Sequence, residues 1–509
     1  HATTFGSLIQ VPEGLAKKLP ALKQLSEATS QDLFVSEALK RLGPLVQQGE
    51  MLAAQYDVVV ANPPYMGSKG MNASVKEFAN ELFPDAKSDL FACFIVRGYT
   101  LAKVTGLNAM VTMQSWMFLS SYEQMRQRML GEKTIQTMAQ IGYNSFPSMN
   151  SKVAQATVFS LFNRSLRNYR GTYVDLNGAP QSADKESVFR AIGAEGYYRV
   201  SSERFFLIPG SPLAYWLSED IVALFSTQPS LSDLMELKAG MSTGNNDLFQ
   251  RLWHEVEIDR ISFRGKHERS RWVPCNSGGD FRKWYGNNQV IVNWEHSGAK
   301  IRSYRNDKGN IGSAVRNDTY YFQPGLTWTK ISSGPLAVRW MDAGFAFDDT
   351  GRSGFIDEKS AKRSNVLAAI VSNIAQVVLK ALAPTLSVTS GELAKLPIPC
   401  ANDTLVYERA NRAIEIARWD WDLFERSWSF LESILLQFRG TSLSVSWGRF
   451  IATARATTQE LQNAEFEINR RMSASSDVTS VCPDVPIEQI TLTVNPAYRY
   501  GGKLTDEEL

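Results

Sequence analysis

The sequence predicts an α/β protein: an open sheet in the amino-terminal part, a mixed α/β region in the middle and a helical carboxyl-terminal region. Three observations carry this reading. A β-branched run, Asp57, Val58, Val59, Val60 and Ala61, has the composition of a strand buried on both faces. Between residues 75 and 162, segments of helical and strand period alternate, as in a sheet wound with helices. From residue 403 to 471 the apolar spacing turns helical.

Taken in order, residues 32–48 read as an amphipathic helix and the valine run as the first strand of the sheet. A Gly, Ser, Lys and Asn loop leads to helical patterns over 75–82 and 90–104. A strand follows at 107–113, then a helix at 121–130 and strands at 135–141 and 153–162, the last two expected as an antiparallel hairpin. From residue 199 the chain breaks into short segments punctuated by Gly, Asn and Trp. Residues 366–383 read as one core helix, and 405–421 and 423–438 as long amphipathic helices. In these, Trp419, Trp421, Phe424 and Trp428 form a stripe for helix packing. The division this implies is 1–198, 199–400 and 401–509.

With 44% hydrophobic and 21% charged residues in 509, the chain is that of a globular protein of about three domains. A formal net charge of +2 does not by itself select a polyanionic partner. Locally the picture differs. Between Arg251 and Arg316, Lys and Arg outnumber Asp and Glu, with Trp253, Trp272, Trp284, Tyr285 and Trp294 interleaved. Such a mixture suits a surface that tracks phosphates, although for any single residue a solvated face with core tryptophans is the commoner arrangement. Arg251, Lys283, Arg302 and Arg305 are the candidates for DNA contact. The cysteines Cys93, Cys275, Cys400 and Cys482 form no Cys-x-x-Cys pair, so neither a zinc knuckle nor a disulfide framework is expected, and a reducing cytoplasm fits. No run approaches the roughly 18 apolar residues of a membrane span.

The valine run ends in Asn62, Pro63, Pro64 and Tyr65. Neither proline can continue a strand ladder, so the chain must leave the sheet at Asn62. Strand carboxyl ends are where open α/β sheets bind ligands. An amide oxygen and the Pro63 carbonyl there offer two acceptors to an exocyclic amine, and Tyr65 offers a ring on which a base can stack.

A strand followed by Asn-Pro-Pro-Tyr resembles the catalytic motif of the amino-methyltransferases that modify adenine N6 in DNA. Further stretches are similar to one family, the PglX adenine methyltransferases of the BREX bacteriophage-exclusion systems. They are residues 114–122 (QSWMFLSSY), 283–287 (KWYGN) with 292–295 (VNWE), 327–334 (TWTKISSG), 384–386 (PTL) with 396–398 (LPI), and 495–502 (NPAYRYGG). The resemblance implies the second half of a Rossmann-like methyltransferase sheet, then a target-recognition domain and the helical region. It also implies S-adenosyl-L-methionine as methyl donor and double-stranded DNA as substrate, with other BREX defence proteins as possible partners. Carried over by position, Asn62, Pro63, Pro64 and Tyr65 hold the adenine. A second stacking aromatic falls on Phe146 in residues 142–147, with Tyr143 as competitor. No metal is implied.

The Gly-rich turn and acidic residue of a cofactor half occur neither in residues 1–55 nor downstream, so that half is expected upstream of His1. The chain opens on His1 instead of methionine and closes on Thr505, Asp506, Glu507, Glu508 and Leu509, which read as a helix start, so both ends are expected to continue. Three rivals stay open at this stage: a fused restriction-methylation enzyme, a non-catalytic DNA-recognition subunit, and a cytosine-N4 methyltransferase. Asn at the first motif position favours adenine over the last.

Overall fold

The computed structural model describes residues 2–143, 155–180, 183–263, 271–331, 334–384 and 387–501. Its contacts divide the chain into two units, His1–Trp216 and Leu217–Leu509.

The first unit is built on a six-stranded sheet of order β1-β2-β4-β3-β5-β6. Helix α1 (Leu33–Ala53) leads into β1 (Tyr56–Ala61). Helices α2 (Ala73–Leu82) and α3 (Leu90–Leu101) precede β2 (Ala102–Met113). Helix α4 (Glu123–Glu132) then connects to β3 (Thr134–Gly142). The remaining strands are β4 (Ala156–Phe162), β5 (Arg170–Asp175) and β6 (Tyr198–Ser201). β1 pairs parallel with β2, whereas β4 is antiparallel to both β2 and β3. The expected hairpin is therefore present, with β4 lying between β2 and β3. Sequence reading did not find β5 and β6, which are short and extend the sheet beyond β3. Because β6 belongs to this sheet, the first unit runs past residue 198.

The two faces of the sheet differ. One buries Asn108, Met110, Thr112, Met138, Phe159 and Leu161, several of them in a core shared with Phe91, Trp116 and Met125. Close packing of α3 on β2 depends on Gly98, where a Cβ would lie 2.4 Å from the Asn108 amide nitrogen. On the other face Ala109, Val111, Ala139, Ile141 and Val158 remain half-buried, and Val58 and Val60 are 52% and 74% exposed. That face carries an apolar groove of about 580 Å³ between the strands and Lys185, Glu186, Phe189 and Tyr197.

The second unit holds two four-stranded sheets. One contains β8 (Gln250–Leu252), β9 (Trp272–Asn276), β10 (Val290–Asn293) and β13 (Ala346–Phe347). The other contains β7 (Met235–Lys238), β11 (Gly325–Thr329), β12 (Val338–Met341) and β14 (Gly351–Ile356). A short segment, α5 (Glu295–Arg302), follows β10; its backbone is left-handed at His296–Gly298 and helical only beyond.

Two predicted helices differ from expectation. The core segment is two helices, α6 (Arg363–Val371) and α7 (Asn373–Leu382), bent by 67°. Ser372 makes the break: its hydroxyl donates to Ala369 O at 2.7 Å and accepts from Ala375 N at 3.2 Å. Helix α8 (Thr404–Asp422) matches its prediction, but residues 423–438 retain only a single short turn, Ile434–Gln437. There Ser427 donates to the Asp422 carboxylate at 2.6 Å, and Trp428 packs 5.0 Å from Phe263 and 5.8 Å from Phe345. Tertiary packing has overridden a helical pattern. Helix α9 (Leu443–Ser475) then packs along α8. No single helix among the described residues is long and apolar enough to cross a membrane.

Lys283 corrects the DNA-contact expectation. It is 5% exposed, and its ammonium is ion-paired with Glu465 of α9, itself 5% exposed. The other oxygen of Glu465 accepts from Trp284 Nε1 at 2.7 Å. Beside it, Arg282 pairs with the buried Asp420 at 2.6 Å. Basic and aromatic residues of this run therefore clamp the helices to the sheets. Glu465→Ala strands a buried ammonium and should destabilise the unit by about 3–5 kcal/mol. Glu465→Gln combined with Lys283→Met keeps an acceptor for Trp284 and should recover most of that loss in urea unfolding followed by tryptophan fluorescence. A double variant no more stable than Glu465→Ala would contradict the pairing.

Candidate active site

Because β1 and β2 are parallel, with Ala61 opposite Met110, their carboxyl ends lie at one edge of the sheet. β3 runs the same way, being antiparallel to β4. That edge therefore gathers Asn62 after β1, Gln114 after β2, Tyr143 after β3 and Gln155 before β4. Gln114 Nε2 donates to Gln155 Oε1 at 2.7 Å, and Gln140 Nε2 donates to Gln114 Oε1 at 3.1 Å. Tyr215 Oη lies 2.6 Å from Gln140 Oε1. These polar side chains form a connected row beside the Asn-Pro-Pro-Tyr segment.

Within that segment Asn62 and Pro64 are exposed, Pro63 is buried and Tyr65 is half-buried. The Tyr65 hydroxyl lies 3.4 Å from Asn62 Oδ1, longer than an ordinary O–H···O bond, so the amide oxygen keeps capacity for a further donor. The Tyr65 ring meets Phe91 edge-on, with centroids 6.1 Å apart at 87°. Burial pushes its phenol up to about 12, which keeps the group neutral at physiological pH.

The chain beyond Tyr65 is tied to the start of α3 by a residue that sequence reading missed. Asp89 Oδ1 accepts from Met66 N at 2.9 Å and caps the helix through Phe91 N at 3.3 Å. Leu90 N donates to Met66 O at 3.1 Å and Ser68 N to Ser88 O at 3.0 Å. Burial raises the Asp89 carboxyl against the opposing pull of the Met66, Phe91 and Leu90 amides. Its signal was available: an Asp immediately before an apolar helical run is an N-cap signature. Arg126 of α4 was missed too. Its buried guanidinium donates to Trp116 O, Leu119 O, Gly210 O and Ser211 O at 2.9, 2.6, 2.7 and 3.2 Å. It thereby anchors the 114–122 run just after β2. Cys93 is no nucleophile, since burial in α3 pushes its thiol up to about 12.

Phe146, the expected second stacking residue, lies outside the described residues, whereas its competitor Tyr143 is half-buried. The DNA-contact candidates separate in their surroundings. Arg251 on β8 is half-buried and donates to Gln250 O at 2.6 Å and to Asp247 O. Arg302 at the end of α5 pairs with Asp318 at 2.5 Å and lies over Trp294 at 5.7 Å. Arg305 is exposed and donates to Gly309 O at 2.8 Å. Lys283 is internal, as described above.

Residues 16–146 match the Eco57I restriction-modification methylase family. The chain is 36% identical over 509 residues to the adenine-specific methyltransferase BrxX of Escherichia coli O9:H4 (strain HS), covering 99% of this chain and 41% of that protein. It is 36% identical over 441 residues to the adenine-specific methyltransferase PglX of Lacticaseibacillus casei (strain Zhang), covering 84% of this chain and 36% of that protein. Among solved structures, the type IIL restriction-modification enzyme MmeI in complex with DNA aligns with a TM-score of 0.49 at 10% identity, over 87% of this chain and 57% of that one. The chain is thus similar to BrxX over nearly its whole length and to PglX over most of it, both adenine-specific methyltransferases as its motifs implied, and it spans about two fifths of the BrxX length.

Proposed function

We propose that this chain is the base-binding and sequence-reading part of a site-specific DNA adenine-N6 methyltransferase acting in bacterial defence against phage. The observation that carries the proposal is Asn62 with Pro63 at the carboxyl end of β1, in a loop fixed by Asp89. Adenine N6 is a poor nucleophile because its lone pair is delocalised into the ring. Acceptance of its two hydrogens by Asn62 Oδ1 and the Pro63 carbonyl favours a pyramidal nitrogen and frees that lone pair. The base must first leave the duplex, at a cost of a few kcal/mol, and stacking on Tyr65 offsets this by about 1–3 kcal/mol.

The family implies S-adenosylmethionine as methyl donor. The described residues do not complete a site for it, since the β1–α2 connection opens on Asn-Pro-Pro-Tyr, and its Gly67 and Gly70 form no Gly-x-Gly turn at the strand end. The open edge of β1 and the exposed Val58 and Val60 support a division in which further strands and helices of the parent protein cover this face and carry the donor. The strand order, with β4 antiparallel between parallel β2 and β3, supports assignment to the second half of a Rossmann-like methyltransferase sheet. We assign target recognition to the second unit up to residue 400 and a supporting role to the helices beyond it. DNA is the proposed partner, and other BREX proteins are proposed on family grounds.

In the active enzyme, Asn62→Ala should lower methyl transfer by about 100-fold or more while duplex affinity, read by fluorescence anisotropy, stays within about threefold. Equal loss of both would contradict the role given to Asn62. Asp89 is a positioning residue. Asp89→Ala should cost about 1–2 kcal/mol of stability as a lost cap and lower kcat with little change in KM for DNA, whereas Asp89→Asn, which keeps an oxygen acceptor, should recover most of both. Identical behaviour of the two variants would contradict it.

A further inference from the structure

The backbone of the second unit holds a left-handed turn at the end of a strand interior to its sheet. His296, Ser297 and Gly298 have φ of 49°, 56° and 75° in succession. Only glycine enters this region without cost, so two L side chains are held there against their preference. The surroundings explain how. β10 ends at Asn293, whose side chain accepts from Glu295 N at 3.2 Å. Trp294 packs into the core, 5.1 Å from Tyr321, and Gly298 sits so close to it that a Cβ would meet the indole at 2.7 Å. Arg302 Nε donates to Ser297 O at 3.0 Å, while its guanidinium is braced by Asp318 and the Trp294 ring. Asn293 and Gly298 are buried and Trp294 is half-buried, the Arg302–Asp318 pair lies at the surface, and the two strained residues are exposed.

A turn strained at its tip and braced from beneath presents two hydrogen-bonding side chains rigidly to solvent. Basic groups flank it: Lys300 and Arg302, each paired with a carboxylate, and Arg305 and Lys308 in the following loop. Among the described residues Arg305 has no carboxylate in ion-pair range. Cations suited to phosphates beside a rigid polar tip form the arrangement needed to seat a duplex and read its base edges. We propose that His296 and Ser297 contact base edges in the DNA target and help set the recognised sequence, with Arg305 on the phosphate backbone. This rests on the reading of the second unit as the recognition region.

The test is selection of bound duplexes from a randomised pool by the full chain, with a melting curve for each variant. His296→Ala removes the side chain, and Ser297→Gly removes the side chain and relieves the strain. Each should lower discrimination at one or two adjacent positions of the selected site by about tenfold. Ser297→Gly should melt no lower than the parent. Arg305→Gln should weaken all duplexes about equally and lower the salt slope by about one. An unchanged selected site, or uniform weakening by His296→Ala and Ser297→Gly, would overturn the inference alone. A parent chain that selects no sequence would overturn the recognition reading and the inference together.

Discussion

Two prolines at the carboxyl end of an edge strand force the chain out of the sheet, and one carboxylate fixes where it goes. Asp89 accepts the Met66 amide and caps α3 with the same oxygen, so the loop carrying Asn62 and Tyr65 is coupled to the helix that forms the floor of the core. That link adds to the Leu90–Met66 and Ser68–Ser88 backbone bonds and the Tyr65–Phe91 ring contact in holding the segment that carries Asn62. With it, an exposed Asn62 and a half-buried Tyr65 ring lie at the sheet edge where strand ends converge. The Gln114, Gln140 and Gln155 row on the neighbouring strands continues this polar edge, and Arg126 holds the run that follows.

The second unit resolves the ambiguity of basic residues among aromatics in two ways. Lys283, Trp284 and Arg282 are internal, their charges met by Glu465 and Asp420 on the helices. Arg302 and Arg305 face solvent beside a braced turn. The same composition thus serves first as a clamp and then as a surface, and the distinction lies in which carboxylates the fold brings near.

This contrast marks what was legible in the sequence. The order of helices and strands from residue 56 to 162 followed from local period, and the strand exit at Asn62 from covalent limits on proline; both are properties of neighbouring residues. The burial of Lys283 was not legible because Glu465 lies far along the chain. Residues 423–438 kept a helical period but lost the helix to the Ser427 bond with Asp422 and to Trp428 packing, which are again tertiary effects. Ser372 sits between two local effects: a helix breaker in the sequence, it reads as tolerable until its hydroxyl is seen capping both halves. Asp89 was readable as a cap, but its second bond, to the loop before it, required the fold.

The central claim is that Asn62 activates an adenine amine at the end of β1, in a site whose donor side comes from the rest of the parent protein. Its most direct test is transfer of labelled methyl from S-adenosylmethionine to unmethylated bacterial DNA, comparing this chain with the same chain joined to the remainder of its parent. The account predicts label on adenine N6 only in the longer protein. Label on another base, or none with either protein under conditions where the longer one binds both DNA and S-adenosylmethionine, would contradict it.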